Sequence, residues 1–307
     1  MNNELKKRSG FVNILGIPNS GKSTLINKLV GKKISIVSHK VQTTRFCIKG
    51  IRMCELDDNV QSQIIFVDTP GIFDAKRRLD KAMVSAAYSE LNHTDKVIFI
   101  HDISKANLND NSLKVIENIL KIKSKVILVL NKIDLCPKDK LLERISRIEK
   151  LFKFEKVFLI SAKNGSGCDD LLSYLANLMP SHPFFYDKDT ISDLPEALLA
   201  SEITREKLFH TLNQELPYNL MVETENWVLN ADKSINIDQV IYVNKESHKP
   251  IILGKAGTNI KRVGMTARKE LEELLSCKIH LFLFVKYKKN WMEDPRKYSS
   301  IGLNFNA

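Results

Sequence analysis

The segment Gly16-Ile17-Pro18-Asn19-Ser20-Gly21-Lys22-Ser23 constrains this chain more than any other feature. Glycines at 16 and 21, followed by a lysine and a hydroxyl residue, let backbone N–H groups approach an oxyanion closely. The segment follows the apolar run Phe11 to Leu15 and opens a helical pattern, and that strand–loop–helix setting is the one a phosphate cradle needs. The helix N-terminus adds a favourable field for negative charge. Lys22 is suited to the terminal phosphates and the Ser23 hydroxyl to Mg²⁺; Thr24, next in the helix, is counted with the phosphate-binding residues.

The surrounding pattern fits. Apolar runs at Gln63 to Val67, Val97 to Asp102, Val126 to Leu130 and Val157 to Ile160 alternate with amphipathic stretches such as Leu141 to Phe152. Strands alternating with helices predict an α/β domain over 1–180, a mostly parallel sheet with helices on both faces. Phe46 to Leu56 and Val60 to Val67 read as one antiparallel hairpin at its edge.

Three further motifs stand at strand ends in the order a nucleotide site requires. Asp68-Thr69-Pro70-Gly71 can hold Mg²⁺ through its carboxylate and present the Gly71 N–H to a γ-phosphate. Asn131-Lys132-Ile133-Asp134 places a carboxylate where it can accept from the N1–H and 2-amino groups of guanine. Adenine has neither donor, so the motif selects GTP. Ser161-Ala162-Lys163 can offer a backbone N–H to the guanine O6. The residue after Gly71 is Ile72, which has no hydrogen-bonding group with which to orient water. Hydrolysis must therefore be slow or rely on another group, a cation or a partner.

After 181–194, a stretch broken by Pro183 and Asp187-Lys188-Asp189 that reads as a linker, the order over 195–307 is helix, strand, strand, helix, helix, strand, with the last helix expected at 266–276. Gly254-Lys255-Ala256-Gly257 joins the two middle helices. This is the arrangement of an α+β type II KH domain, in which a GxxG loop clamps the backbone of single-stranded nucleic acid beside an apolar groove. From 249 to 269 there are six basic residues and no acidic one. The candidate RNA contacts are Ile252, Gly254, Lys255, Ala256, Gly257, Ile260, Lys261, Arg262, Arg268 and Lys269. Lys286, Lys288, Lys289, Arg296 and Lys297 either extend that footprint or form a solvated edge.

Residues 10 to 300 resemble the Era family of bacterial ribosome-associated GTPases. Gln42-Thr43-Thr44-Arg45 is similar to that family's first switch, and Ala200-Ser201-Glu202-Ile203 with Glu215-Leu216-Pro217-Tyr218 adds to the likeness. The resemblance implies that one threonine binds Mg²⁺ and the γ-phosphate, with Thr44 favoured over Thr43. It gives Lys22, Thr44, Gly71 and Asn19 catalytic roles, and Ser23, Thr44 and Asp68 the metal. In related GTPases an asparagine matching Asn19 helps hold K⁺; the alternative is a loop-capping residue. The implied partners are GTP and GDP, the 3′ region of small-subunit ribosomal RNA and the small ribosomal subunit. Family members also touch the inner membrane peripherally.

Composition permits these readings. The formal net charge is +11 with pI near 9.3, which suits an anionic partner. The scattered cysteines form no CxxC pair, against a disulfide or zinc framework. The apolar runs are too short to span a bilayer. A cytoplasmic monomer is expected, with peripheral contact at the cytoplasmic face of the inner membrane permitted by the charge. Two rival readings stay open: an RNA-binding module whose nucleotide is structural, and a GTPase that meets acidic lipid or protein.

Overall fold

The computed structural model describes residues 5–38, 40, 43–57, 59–75, 77–105, 108, 110–123, 125–213 and 215–307. It divides into two compact units, one of 1–35, 44–193 and 306–307, the other of 36–43 and 194–305.

In the first unit β1 (Lys6–Leu15) leads through the glycine loop into α1 (Lys22–Val30), and β2 (Ile48–Asp57) and β3 (Val60–Asp68) follow. Then come α2 (Arg78–Ser89), β4 (Lys96–Asp102), α3 (Asp110–Ile122), β5 (Val126–Asn131), α4 (Lys138–Leu151), β6 (Lys156–Leu159) and α5 (Cys168–Leu178). The six strands lie in the order β2-β3-β1-β4-β5-β6, all neighbours parallel except the β2–β3 hairpin. Every residue of β5 is buried, as a strand covered on both faces must be. Leu15, Phe99, Leu128 and Leu130 meet Ala87, Ile116, Ile119 and Ile148 of α2, α3 and α4, while α1 and α5 bury Leu25, Ile26, Leu171 and Leu175 elsewhere in the unit. The parallel register brings the C-terminal ends of β1, β3, β4 and β5 together, and the loops leaving them carry the motifs.

Of residues 181–194, expected as a linker, those up to Asp193 group with this unit. Ile51 N–H donates to Ile191 O (2.8 Å) and Ser192 Oγ to Lys49 O (2.9 Å). Gln63 accepts from Phe185 N–H and donates to Tyr186 O (2.9 and 2.7 Å). An edge strand leaves N–H and C=O groups open, and the bonds at Ile51 and Lys49 satisfy part of the β2 edge.

The second unit runs α6 (Glu196–Thr211), β7 (Leu220–Leu229), β8 (Ile235–Val243), α7 (His248–Leu253), α8 (Thr258–Leu275), β9 (Ile279–Tyr287) and α9 (Pro295–Ser299). β7 and β8 are antiparallel, β8 and β9 parallel. The helix expected at 266–276 is the second half of α8, which runs unbroken from 258. Glycine at 264 does not break it, because one interior glycine costs a helix only about 1 kcal/mol relative to alanine; a Cβ there would make an ordinary contact, 3.5 Å from Leu283 Cδ1. From Ala200 to Phe209 every residue of α6 but Lys207 is buried, polar residues included. Its polar groups have partners within the unit: Glu206 Oε1 accepts from Val37 N–H (2.7 Å), Arg205 pairs with Glu202 and donates to Thr43 O, and Lys40 donates to the Phe209 and Leu212 carbonyls. Segment 36–43 therefore belongs to this unit by hydrogen bonding. The family-like residue Gln42 lies outside the described residues.

Candidate nucleotide and RNA sites

The glycine loop is shaped by the protein around it. Gly21 has φ 101°, and a Cβ there would fall 2.2 Å from Asn131 Nδ2; one on Gly16 would fall 2.5 Å from Ile100 O. Asn131 ties the loops together, donating to Ser20 O (2.9 Å) and accepting from Ala162 N–H (2.9 Å). Lys132 Nζ bridges Asn19 O (2.8 Å) and Asp102 Oδ2 (2.7 Å). Lys22 Nζ lies against Gly16 O and Ile17 O, 3.0 Å from each. Burial pushes this ammonium down to about 8, against the opposing pull of Asp68, so an arriving phosphate meets a cation stripped of most of its water.

Asp68 is completely buried. Its Oδ2 accepts from Ser23 Oγ (3.0 Å), Ser35 Oγ (2.6 Å) and Thr44 Oγ1 (3.3 Å), and the two hydroxyls of Ser23 and Thr44 are 2.9 Å apart. Burial raises the carboxyl, while the bond from Ser35, the Lys22 charge and the bonds from Ser23 and Thr44 work against that rise. Asp68 Oδ1 has no hydrogen-bond partner. A buried carboxylate with an orphaned oxygen beside converging hydroxyls fits a hard, oxygen-seeking divalent cation. Thr43 Oγ1 turns away to Lys40 O (2.8 Å). Gly71 abuts Pro18, where a Cβ would lie 3.1 Å from the ring.

The glycine loop of the second unit is open by comparison. Gly254 and Gly257 both have φ 75°, and Ala256 sits in the left-handed region at φ 50°. Gly254 N–H donates to Pro250 O (2.8 Å), which caps α7, and Thr258 Oγ1 donates to Lys255 O (2.9 Å). Lys255 and Ala256 project into solvent. Beside the loop lies a groove of about 430 Å³ between α8 and β9, with Lys261 and Arg268 on its helical wall. Met265, Phe282 and Phe284 line it while remaining 56%, 50% and 52% exposed. An apolar floor with cations at the rim accepts bases below and phosphates above.

Comparison with known proteins agrees with both sites. A family model described as 50S ribosome-binding GTPase matches residues 11–132, and a KH domain model matches 215–292. GTPase Era of Brucella suis biovar 1 is 48% identical over 97% of this chain and 94% of its own length. GTPase Era of Agrobacterium fabrum is 48% identical over 99% and 94%. The chain belongs to the Era family. Among solved structures, a variant of Aquifex aeolicus Era bound to GDP and AlF₄⁻ superposes with TM-score 0.90 at 34% identity, covering 96% of this chain and 99% of that one. Era in complex with MgGDPNP and nucleotides 1506–1542 of 16S ribosomal RNA gives 0.89 at 35% identity, with the same coverage. The chain is accordingly a GTPase with a KH domain.

Within this chain Ser23, Thr44 and Asp68 meet, while several other residues singled out from sequence do other work. Ile72 is buried in the core with Leu15 and Phe99, and its N–H donates to Gly16 O (3.2 Å); its side chain faces away from the phosphate loop's polar groups. Thr69 Oγ1 is likewise committed, to Ile14 O (2.9 Å). Ile252 is 0% exposed in the core of the second unit, so it supports the RNA groove without lining it. Arg262 and Lys269 stand on an adjacent stripe of α8, outside the groove. Lys286, Lys288, Arg296 and Lys297 face Glu225, Asp294 and Glu223, which offsets part of their positive charge. Sequence reasoning missed Ser35, which Asn27 holds at Asp68 by accepting from the Ile34 and Ser35 N–H groups (2.9 and 3.0 Å). It also missed Met265, Phe282 and Phe284; large apolar residues at alternate positions of an edge strand were the available signal.

Proposed function

We propose that this protein is a GTP-driven switch that binds single-stranded RNA, the 3′ region of small-subunit ribosomal RNA, and assists assembly of the small subunit. The observation that carries the reading is the open α8–β9 groove with its unobstructed Lys255-Ala256 tip in a chain that also holds the Asp68 cluster. A relative of 35% identity is complexed with the 3′ nucleotides of 16S RNA.

The proposed division of labour is a GTPase domain over 1–180, a connecting stretch over 181–194 and an RNA-binding domain over 195–307. Gly16 to Thr24 wrap the phosphates, and Lys22 neutralises their charge. Ser23, Thr44 and Asp68 hold Mg²⁺, which when bound supplies positive charge against the β- and γ-oxygens. The geometry favours Thr44 over Thr43. The Gly71 N–H addresses the γ-phosphate, Asp134 and the Ser161 to Lys163 turn address guanine, and Asn19 helps hold a K⁺ ion in place of the missing catalytic amide. The protein acts as a monomer in the cytoplasm, and its basic face permits peripheral contact with an acidic membrane.

The test replaces Lys255 and Ala256 by aspartate, leaving both loop glycines in place. Two carboxylates then face the phosphates that the loop clamps. Titration with labelled 3′-end RNA should show nearly complete loss of binding, with GTP affinity unchanged. Wild-type RNA affinity would make the loop a structural turn. Liposomes of acidic lipid included in the same titration identify a membrane role if they alone retain or lose binding.

A further inference from the structure

Ser35 makes the shortest of the three hydroxyl bonds to Asp68, although it stands outside every nucleotide motif. It is 1% exposed, and its Oγ donates to Asp68 Oδ2 at 2.6 Å, against 3.0 Å from Ser23 and 3.3 Å from Thr44. A carboxylate has about four lone-pair sites on its two oxygens. Here the three hydroxyls converge on Oδ2, while Oδ1 has no hydrogen-bond partner among the described residues. The group is gripped at one oxygen and open at the other.

Ser35 is itself held at both of its backbone polar groups. Asn27 Oδ1 accepts from the Ile34 and Ser35 N–H groups (2.9 and 3.0 Å), and Asn27 Nδ2 donates to Ser35 O (2.7 Å). Residues four apart share a face of a helix, so Asn27 stands one turn beyond Ser23 on α1. The helix that presents the Ser23 hydroxyl thus also fixes the Ser35 hydroxyl. Both reach the same oxygen of Asp68, the last residue of β3. Ser23 and Thr44 belong to the ligand set proposed for Mg²⁺, and their hydroxyl oxygens serve the cation. Ser35 lies outside that set, so its bond to Asp68 is spared the competition.

We propose that Ser35, held by Asn27, is a positioning residue for the divalent cation, fixing the Asp68 carboxylate by Oδ2 so that Oδ1 stays open. The inference rests on the Mg²⁺ site proposed above and adds to it a residue that acts through Asp68. Mg²⁺ demands near-octahedral geometry, whereas Ca²⁺ accepts flexible coordination. A carboxylate fixed in place therefore favours Mg²⁺, and one free to swing loses that preference.

The full-length protein is titrated with a fluorescent, non-hydrolysable GTP analogue in EDTA and at stepped concentrations of free Mg²⁺ or Ca²⁺. Binding of metal and of nucleotide is reciprocal, so the gain in affinity over EDTA reads the metal affinity of the complex without any turnover. Ser35→Ala removes a hydrogen bond to a charged group and should lower Mg²⁺ affinity by about tenfold. Its Ca²⁺ affinity should fall by about twofold at most, and nucleotide affinity in EDTA should stay at the wild-type value, which also shows that the variant is folded. Asn27→Ala leaves every hydroxyl in place but frees Ser35, and should lower Mg²⁺ affinity by about threefold or more with the same sparing of Ca²⁺. Equal losses for the two metals would mean that Ser35 only satisfies a buried carboxylate, which overturns the inference. So would unchanged Mg²⁺ affinity in either variant, or a gain in Ser35→Ala, which would make the hydroxyl a competitor of the metal. If the wild-type protein gains no affinity from Mg²⁺, the metal site itself falls, and this inference with it.

Discussion

The phosphate loop and the GxxG loop are each built on a pair of glycines, but for different reasons. At Gly16 and Gly21 a side chain has no room, because Ile100 O and Asn131 Nδ2 occupy the space. In the second loop a Cβ on Gly254 would likewise press on Asn259, 2.8 Å away, but at Gly257 it would meet nothing within 4 Å and only the φ of 75° calls for glycine. The first loop is thus held by its own protein before a ligand arrives, with the Gly16, Ile17, Asn19 and Ser20 carbonyls each accepting a hydrogen bond. The second leaves its tip and its flanking aromatics to solvent. A small ligand of fixed shape is best met by a preorganised cradle, whereas a flexible strand of varying sequence is met by an open platform of stacking surface and charge.

The largest effect should come from adding one methyl group at each loop. Gly21→Ala forces a residue into φ 101° and displaces Asn131, so affinity for fluorescent GDP should fall by about a hundredfold. Gly257→Ala bears only the left-handed backbone penalty, about 1–2 kcal/mol, and RNA affinity should fall by less than about tenfold. Equal losses at the two sites would erase the contrast. The next test removes apolar surface from the open platform. Phe282→Ala with Phe284→Ala should weaken RNA binding by about thirtyfold or more, as the loss of two base contacts of ~1–3 kcal/mol each requires, and leave the melting temperature unchanged. A large drop in stability would mean that these rings belong to the core.

Smaller effects probe the closed site. Because Ile72 is turned into the core, turnover should rise several-fold when K⁺ replaces Na⁺ at constant ionic strength. Asn19→Ala should blunt that response without preventing nucleotide binding; identical rates in the two salts would point to a protein or RNA helper instead. The last test is titration of Lys22. Burial lowers it to about 8 from the usual lysine value of 10.5, so in the free protein its charged form is disfavoured by folding. That penalty is fully present below about 8 and is relieved as pH rises toward 10.5. Bound phosphate favours the ammonium, so nucleotide binding should take up a proton above pH 8, and affinity should decline there by at most about tenfold per pH unit. Calorimetry in two buffers of different ionisation enthalpy reads this proton directly.

Much of this was legible in the residues. A phosphate loop is written locally, in glycine spacing and in the strand and helix on either side of it, and the Asp68 and Asn131 motifs are likewise contiguous. What escaped was long-range. Asn131 is a strut between loops 20 and 162, a role visible only once β5 is set beside its neighbours. Ser35 reaches Asp68 because Asn27 gathers the intervening backbone, and no periodicity marks it. The α8 helix continues through Gly264 because one glycine costs only about 1 kcal/mol, which the burial of Val263, Ala267 and Leu271 on either side outweighs. Residues 181–193 have the composition of a linker, and their docking depends on an open strand edge that composition does not reveal.

The unit boundaries also bear on synthesis. Apart from the last two residues, all of the first unit lies at or before Asp193, but 36–43 is grouped with residues from 194 onward. On a translating ribosome, at about 5–20 residues per second, the phosphate loop and its sheet can form while α6 is still unmade. Segment 36–43 must then wait several seconds for the helix whose Glu206 and Arg205 receive it. The nascent chain thus has a phosphate cradle well before the neighbouring switch segment finds its partners, and synthesis must pass Glu206 before that part of it can settle.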